Sequence, residues 1–372
     1  MKRSRSLFFG LLFAFLAASC GGRVTPPPAT EPVPAPTSLP PSPNRVSPAS
    51  LPQVCKCVLR FDHLSIEQGL SQSSVWAIFQ DSRGFLWFGT EDGLNRYDGY
   101  AFKTYKPDPD VPSSLSDRLI TSIVEDSDGY LWVATRLGGI NRYDPKTEDF
   151  VHYLHDDTNP SSLGDNHVNV LYLDKNGNLW VGTINGLDLF DRKTNTFRHY
   201  VYNPSQQEGI SGKYITALYQ DSRGRFWVGT GNGLNLFDPS SNTSTPYQND
   251  PNNTTTISDN HVTSIIEDDR STLWVGTDTG LNKFQPDAST FERFFHSDID
   301  PQTIGGNHIS QLYVDSTGNL WIATSSGLDR LSKIGNRFTH YKNDPTYSKS
   351  LSNNYVLSIY EDRGGVLWFG TW

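Results

Sequence analysis

Positive charge, methionine and long apolar runs are what this sequence is short of. Lysine and arginine total 31 against 40 aspartates and glutamates, a formal net charge of −9. A surface of that sign does not neutralise phosphates, which argues against a nucleic-acid partner and against a polybasic membrane patch. One methionine beside 31 glycines and 12% aromatic residues suits strands joined by tight turns. After the first two dozen residues no apolar run is long enough for a membrane helix. Gly-x-Ser-x-Gly, His-Glu-x-x-His, a phosphate-binding glycine loop and Cys-x-x-Cys are all missing, so no catalytic group and no cofactor is expected.

What is present begins with an export signal. Lys2, Arg3 and Arg5 precede an apolar or small stretch from Leu7 to Ala18, too short to span a bilayer comfortably. Leu16-Ala17-Ala18-Ser19-Cys20-Gly21 resembles a bacterial lipoprotein signal, which would make Cys20 a lipidated first residue after removal of residues 1–19; ordinary cleavage near the same point is the alternative. Such a chain would sit in the periplasm or at the cell surface. Cys55 and Cys57 then remain, either as a strained Cys-x-Cys bridge or as two thiols, and neither has the His or Cys company of a metal site. Residues 23–52 hold eleven prolines among Ala, Ser and Thr and are expected to be an extended linker within 21–57.

From about residue 58 the sequence repeats. Trp-apolar-(Gly/Ala)-Thr occurs at Trp87, Trp132, Trp180, Trp227, Trp274, Trp321 and Trp368, with spacings of 45, 48, 47, 47, 47 and 47. Each unit reads as four strands: an apolar run such as Ile120 to Val124, an Asp-x-x-Gly turn, the Trp strand, a Gly-Leu-Asn strand, and a last strand marked Phe-x-x-Tyr, as at Phe102, Phe150, Phe197 and Phe338. Blade five carries Asp268-Asp269-Arg270-Ser271 instead, so its turn is expected to differ. A four-stranded unit of this length with no helical period is a propeller blade. The expected fold is an all-β, seven-bladed β-propeller over 58–372, the tryptophans filling the wedges between blades. Phe61-Asp62-His63-Leu64 matches the fourth-strand pattern and is expected to complete the last blade. The pattern stops at Trp372, just past Trp-Phe-Gly-Thr, where every earlier copy continues; the expectation is the front of a longer protein.

The repeat core, L-W-[VFI]-[GA]-T-x-x-G-L-[ND]-x-[YF]-D, and the opening run from Gly69-Leu70-Ser71 to Val75 resemble the two-component regulator propeller family over about residues 58–372. The resemblance implies an extracytoplasmic sensor propeller of a hybrid histidine kinase, commonly one of two propellers ahead of a β-sandwich, a membrane helix and the kinase. It also implies oligosaccharides as the ligand class. The lipoprotein-like start fits a chain that signals through a separate histidine kinase partner, with a second propeller or a homodimer partner completing the site. The competing class is a secreted lyase-like propeller enzyme, because antibiotic-lyase propellers carry a similar Leu-Trp-Phe-Thr element. An Asp or Glu paired with His at the channel mouth would favour the enzyme, and a flat aromatic face would favour the sensor.

Residues recurring in every blade serve the fold, so ligand residues are sought where blades differ. The position before the first strand reads Ser74, Leu119, His167, Tyr214, His261, His308 and Tyr355. These, with Trp76, are expected at one mouth of the central channel. The candidate ligand residues are Trp76, His167, Tyr214, His261, His308 and Tyr355, with Asn166, Asn260 and Asn354 as hydrogen-bonding neighbours. His167, His261 and His308 lie on separate blades without an acidic neighbour evident in the sequence, so no metal is expected.

Overall fold

The computed structural model describes residues 59–202, 209–333 and 337–372. The export signal, Cys20, the proline-rich linker, Cys55 and Cys57 lie outside the described residues. In the first blade, Val75–Gln80, Leu86–Thr90, Gly93–Tyr97 and Phe102–Tyr105 pair in sequence order as an antiparallel meander. The second strand is buried along its whole length, as its unbroken apolar character requires. The same meander recurs with first strands opening at Ile120, Val168, Ile215, Val262 and Ile309.

The expected seven-bladed ring is corrected here: six blades have four strands, and Val356–Glu361 with Leu367–Thr371 forms a two-stranded sheet. The seventh copy of the Trp anchor supplies only these two strands. Phe61–Leu64 is not a strand and adds nothing to that sheet, because among the described residues no third strand lies between for it to pair with. It is nevertheless held in place. Phe61 donates its backbone N–H to Lys349 O at 3.0 Å and packs its buried ring edge-on to Phe369 and Tyr341. The strand Val356–Glu361 packs against the first strands of both the sixth blade and the first.

The Trp anchors are buried between sheets, as expected, and each also makes a hydrogen bond. All seven indole N–H groups donate to the carboxylate of the turn Asp six residues earlier: Trp87 to Asp81, Trp132 to Asp126, Trp180 to Asp174, Trp227 to Asp221, Trp274 to Asp268, Trp321 to Asp315 and Trp368 to Asp362, at 2.7–3.0 Å. The other carboxylate oxygen accepts two backbone N–H groups of the turn, as Asp221 does from Arg223 and Arg225. One side chain thus closes the turn and fixes the ring that fills the wedge. Blade five keeps this arrangement: Asp268 accepts from Arg270, Thr272 and Trp274. Ser271 takes the left-handed conformation, φ 59°, that glycine supplies in the other blades. The glycine of the Trp strand is needed for space. A Cβ on Gly89 would lie 2.6 Å from Ile120 Cγ2 of the next blade, and one on Gly276 as close to Ile309 Cγ2.

Two blades change a buried pairing. The third strand usually carries a buried Asn, whose oxygen accepts a loop N–H, as Asn95 does from Ser71. Blades three and six carry Asp188 and Asp329, which accept from Gly164 and Gly305 and pair with His199 and His340 Nδ1 at 2.7 Å. Those partners raise both histidines above their ordinary 6.5, against the opposing effect of burial.

Every first strand carries a β-bulge at its second residue, so that Trp76, Thr121, Asn169, Thr216, Thr263, Ser310 and Leu357 have no partner in the ladder. The bulge aims these side chains into the central channel.

Candidate functional site

The central channel has a volume of about 510 Å³ and is lined by the first strands. Three bulged residues tie their blade to the next: Thr121 Oγ1 donates to Val168 O, Asn169 Nδ2 to Ile215 O and Thr216 Oγ1 to Val262 O, at 2.5–2.8 Å. At blades five and six this run of bonds lapses. Thr263 Oγ1 and Ser310 Oγ are buried without a partner, as is Nδ1 of the neighbouring His308. Buried polar atoms left unpaired are uncommon and mark a place where something else supplies the bond.

Directly above this gap lies the channel mouth. In every blade after the first, the residue before the first strand accepts a backbone hydrogen bond from the residue that follows the Trp-x-x-Thr anchor, as His261 O does from Asp278 N and Tyr355 O from Trp372 N. The second position reads Glu91, Arg136, Ile184, Gly231, Asp278, Ser325 and Trp372. It is as varied as the first, and that variety was the available signal for it. Asp278 is the residue sequence reasoning missed. Its Oδ2 lies 2.8 Å from His261 Nδ1 and its Oδ1 3.4 Å from His308 Nε2, so one carboxylate bridges two blades.

Aromatic rings extend this bridge on both sides. Tyr214 stacks on His261 with centroids 5.9 Å apart and planes 13° apart. His308 meets Tyr355 edge-on at 5.8 Å, and Tyr355 stacks on Trp372 at 5.5 Å. Gly231 leaves room for the Tyr214 ring, since a Cβ there would lie 3.3 Å from it. Burial, with the charge of Asp278, pushes the Tyr355 phenol up and keeps it a donor. The result is a continuous arc, Tyr214–His261–Asp278–His308–Tyr355–Trp372, half-exposed at its ends, with unpaired hydroxyls beneath it. Such an arc offers ring faces for stacking and both donors and acceptors between them.

The other candidates fall differently. His167 stands on blade three beside Arg136; burial, then that charge, lowers its pKa. Trp76 is a bulged residue of the channel wall, with its indole N–H 3.3 Å from Glu91 Oε1. Asn166, Asn260 and Asn354 are engaged in the scaffold, their side-chain oxygens accepting from His155, Asn249 and Asn343. Among the described residues no group of three or more His, Cys, Asp or Glu is placed to hold a metal ion, and no helix is long and apolar enough to cross a membrane.

Comparison with known proteins agrees with this architecture. The description "two component regulator propeller" matches seven stretches: residues 69–92, 114–136, 162–185, 209–232, 256–279, 303–326 and 350–372. A histidine kinase of Formosa agariphila is 56% identical over 48 residues, 13% of this chain and 4% of its own length. The extracellular domain assigned to a hybrid two component system of B. thetaiotaomicron superposes with a TM-score of 0.72 at 28% identity, covering 84% of this chain and 40% of that one. Virginiamycin B lyase of Staphylococcus aureus, at 16% identity and TM-score 0.56 over 80% of this chain and 92% of its own, shares the fold. The chain therefore spans well under half of the signalling relatives it matches. On the seven matched stretches and the blades they build, the chain belongs to the two-component regulator propeller family.

Proposed function

We propose that this chain is an exported sensor propeller of a two-component system that recognises oligosaccharides at the channel mouth and reports occupancy to a histidine kinase. The observation that carries the reading is the arc from Tyr214 to Trp372. Its rings suit the apolar faces of sugars, while Asp278, His261 and the unpaired Thr263, Ser310 and His308 atoms suit hydroxyls. The relatives support the signalling part: one is a histidine kinase, and another is the extracellular domain of a hybrid two component system. Residues 1–20 as an export signal, Cys20 as the lipidated residue and 21–57 as a tether belong to the same proposal. Intact-mass measurement of membrane-extracted protein checks the anchor, and a product retaining residues 1–19 refutes it.

Calorimetric titration of an oligosaccharide panel tests the ligand site. A ligand found for the wild type should lose at least about tenfold in affinity in a folded Tyr214→Ala, His261→Ala variant. Unchanged binding would place the site elsewhere.

One observation favours a second reading. Asp278 between two histidines is also the pairing that a general base with a tuning carboxylate requires, and a lyase shares the fold. Under that reading Asp278→Asn abolishes turnover of a bound ligand; a ligand recovered chemically intact after prolonged incubation with wild type rejects it.

A further inference from the structure

A second cavity has its origin in a lapse of the repeat. In five blades the last strand carries a phenylalanine opposite Tyr97, Tyr143, Phe190, Phe284 or Leu331 of the third strand, and in four of these its ring rests on the third-strand aromatic: Phe102 on Tyr97 at 4.7 Å, Phe150 on Tyr143 at 5.1 Å, Phe197 on Phe190 at 5.1 Å and Phe291 on Phe284 at 5.3 Å. In blade four the same register position, opposite Phe237, is Ser244. A second departure faces it. The Trp strand opens with Phe226 where the other blades have leucine, and Phe226 packs on Trp180 at 4.8 Å. In the neighbouring interfaces that role falls to third-strand rings, Phe190 on Trp132 at 5.0 Å and Phe284 on Trp227 at 5.3 Å. Phe226 thus refills the inner part of the wedge, while the outer position carries a serine whose Oγ donates to Gly209 O.

What results is a cleft of about 710 Å³ between blades three and four, on the face of the Asp-x-x-Gly turns. Trp180, Phe226 and Phe237 form its apolar wall, Ser244 its floor, and Asn176 and Asn178 part of its rim. Its size is that of a small-molecule site. It lies at the opposite ends of the first strands from the channel mouth.

We propose that this cleft binds a small molecule presenting one aromatic ring, which takes the place that the fourth-strand phenylalanine holds in the other blades. The chemistry follows from the walls: Trp180, Phe226 and Phe237 are each only 2–5% exposed and present thin edges at the base of the cleft, where a flat ring inserts more readily than a puckered one. The rim amides of Asn176 and Asn178 take a polar substituent on that ring.

The test uses the full chain and two probes of equal size and polarity, phenol and cyclohexanol, titrated by NMR. Phenol is expected to saturate below about 10 mM and cyclohexanol to bind about tenfold more weakly. Ser244→Phe is expected to raise the melting temperature and to weaken phenol binding at least about tenfold. The Tyr214→Ala, His261→Ala variant should keep phenol binding, which separates this site from the mouth. Ser244→Leu serves as a second blocking variant if Ser244→Phe does not fold. Equal binding of the two probes, absence of saturable phenol binding, loss of phenol binding in the mouth variant, or unchanged binding in a folded blocking variant each overturns the proposal.

Discussion

The Asp–Trp hydrogen bond allows a quantitative prediction in blade four. Asp221 is fully buried and accepts from Trp227 Nε1 at 2.9 Å, from the backbone of Arg223 and Arg225, and from Arg225 Nε. Burial pushes its carboxyl up, but these bonds outweigh it and hold it below the ordinary 3.8. Asp221→Ala leaves the indole N–H and two turn N–H groups without acceptors, and should cost about 3–5 kcal/mol. Trp227→Phe keeps a ring in the wedge but removes one of the two donors to Asp221 Oδ2, leaving Arg225 Nε as its partner, and should cost about 2–3 kcal/mol. A hydrogen bond to a charged acceptor contributes about 1.5–3 kcal/mol, so the double variant should fall short of the sum by that amount. Urea unfolding followed by far-ultraviolet circular dichroism measures all four corners of the cycle. Additivity within about 0.5 kcal/mol would refute the reasoning and reduce the indole to filler.

Two further predictions concern stability. Ser271→Gly in the blade-five turn relieves a left-handed serine and should stabilise by about 0.5–1 kcal/mol; a lower urea midpoint at unchanged slope would contradict it. His199 and His340 are raised above 6.5 by Asp188 and Asp329. Their contribution is therefore complete below pH 6.5 and is lost as pH rises through the folded values, whereas His63 and His167, lowered by burial, act in the opposite sense. A His199→Gln, His340→Gln variant should lose less stability than wild type between about pH 6 and pH 8, and parallel profiles would show that the pairs do not titrate in this range.

The blade was legible because its signals are local: a Trp every 47 residues or so, an Asp at the start of each turn and alternating strands. The count of blades was not. Seven Trp anchors read as seven blades, but an anchor marks only the second strand, and around Trp368 the described residues form just two paired strands. At the site, comparing blades placed Tyr214, His261, His308 and Tyr355 on one arc. Asp278 escaped because it follows the Trp-Val-Gly-Thr anchor, where it resembles one more turn aspartate; only the backbone pairing of Asp278 with His261 shows that the two positions face each other. Trp76 was grouped with the mouth because it is two residues from Ser74, and the bulge that turns it into the channel leaves no trace in the residue pattern. The turn of blade five looked different on paper, yet Ser271 adopts the conformation its neighbours reach with glycine.

The bulge in each first strand has a consequence for how such a protein diversifies. A bulged residue has no ladder partner opposite it, so its identity is released from the pairing that fixes its neighbours. The same backbone position can therefore be Trp76, Thr121, Asn169 or Leu357 in one chain. Each repeat contributes one interchangeable position to a shared lumen while the scaffold stays constant. Exchange of whole blades between homologous chains would then change the lumen lining one position at a time, with bonds such as those of Thr121 and Asn169 to the next blade's backbone re-formed at each junction.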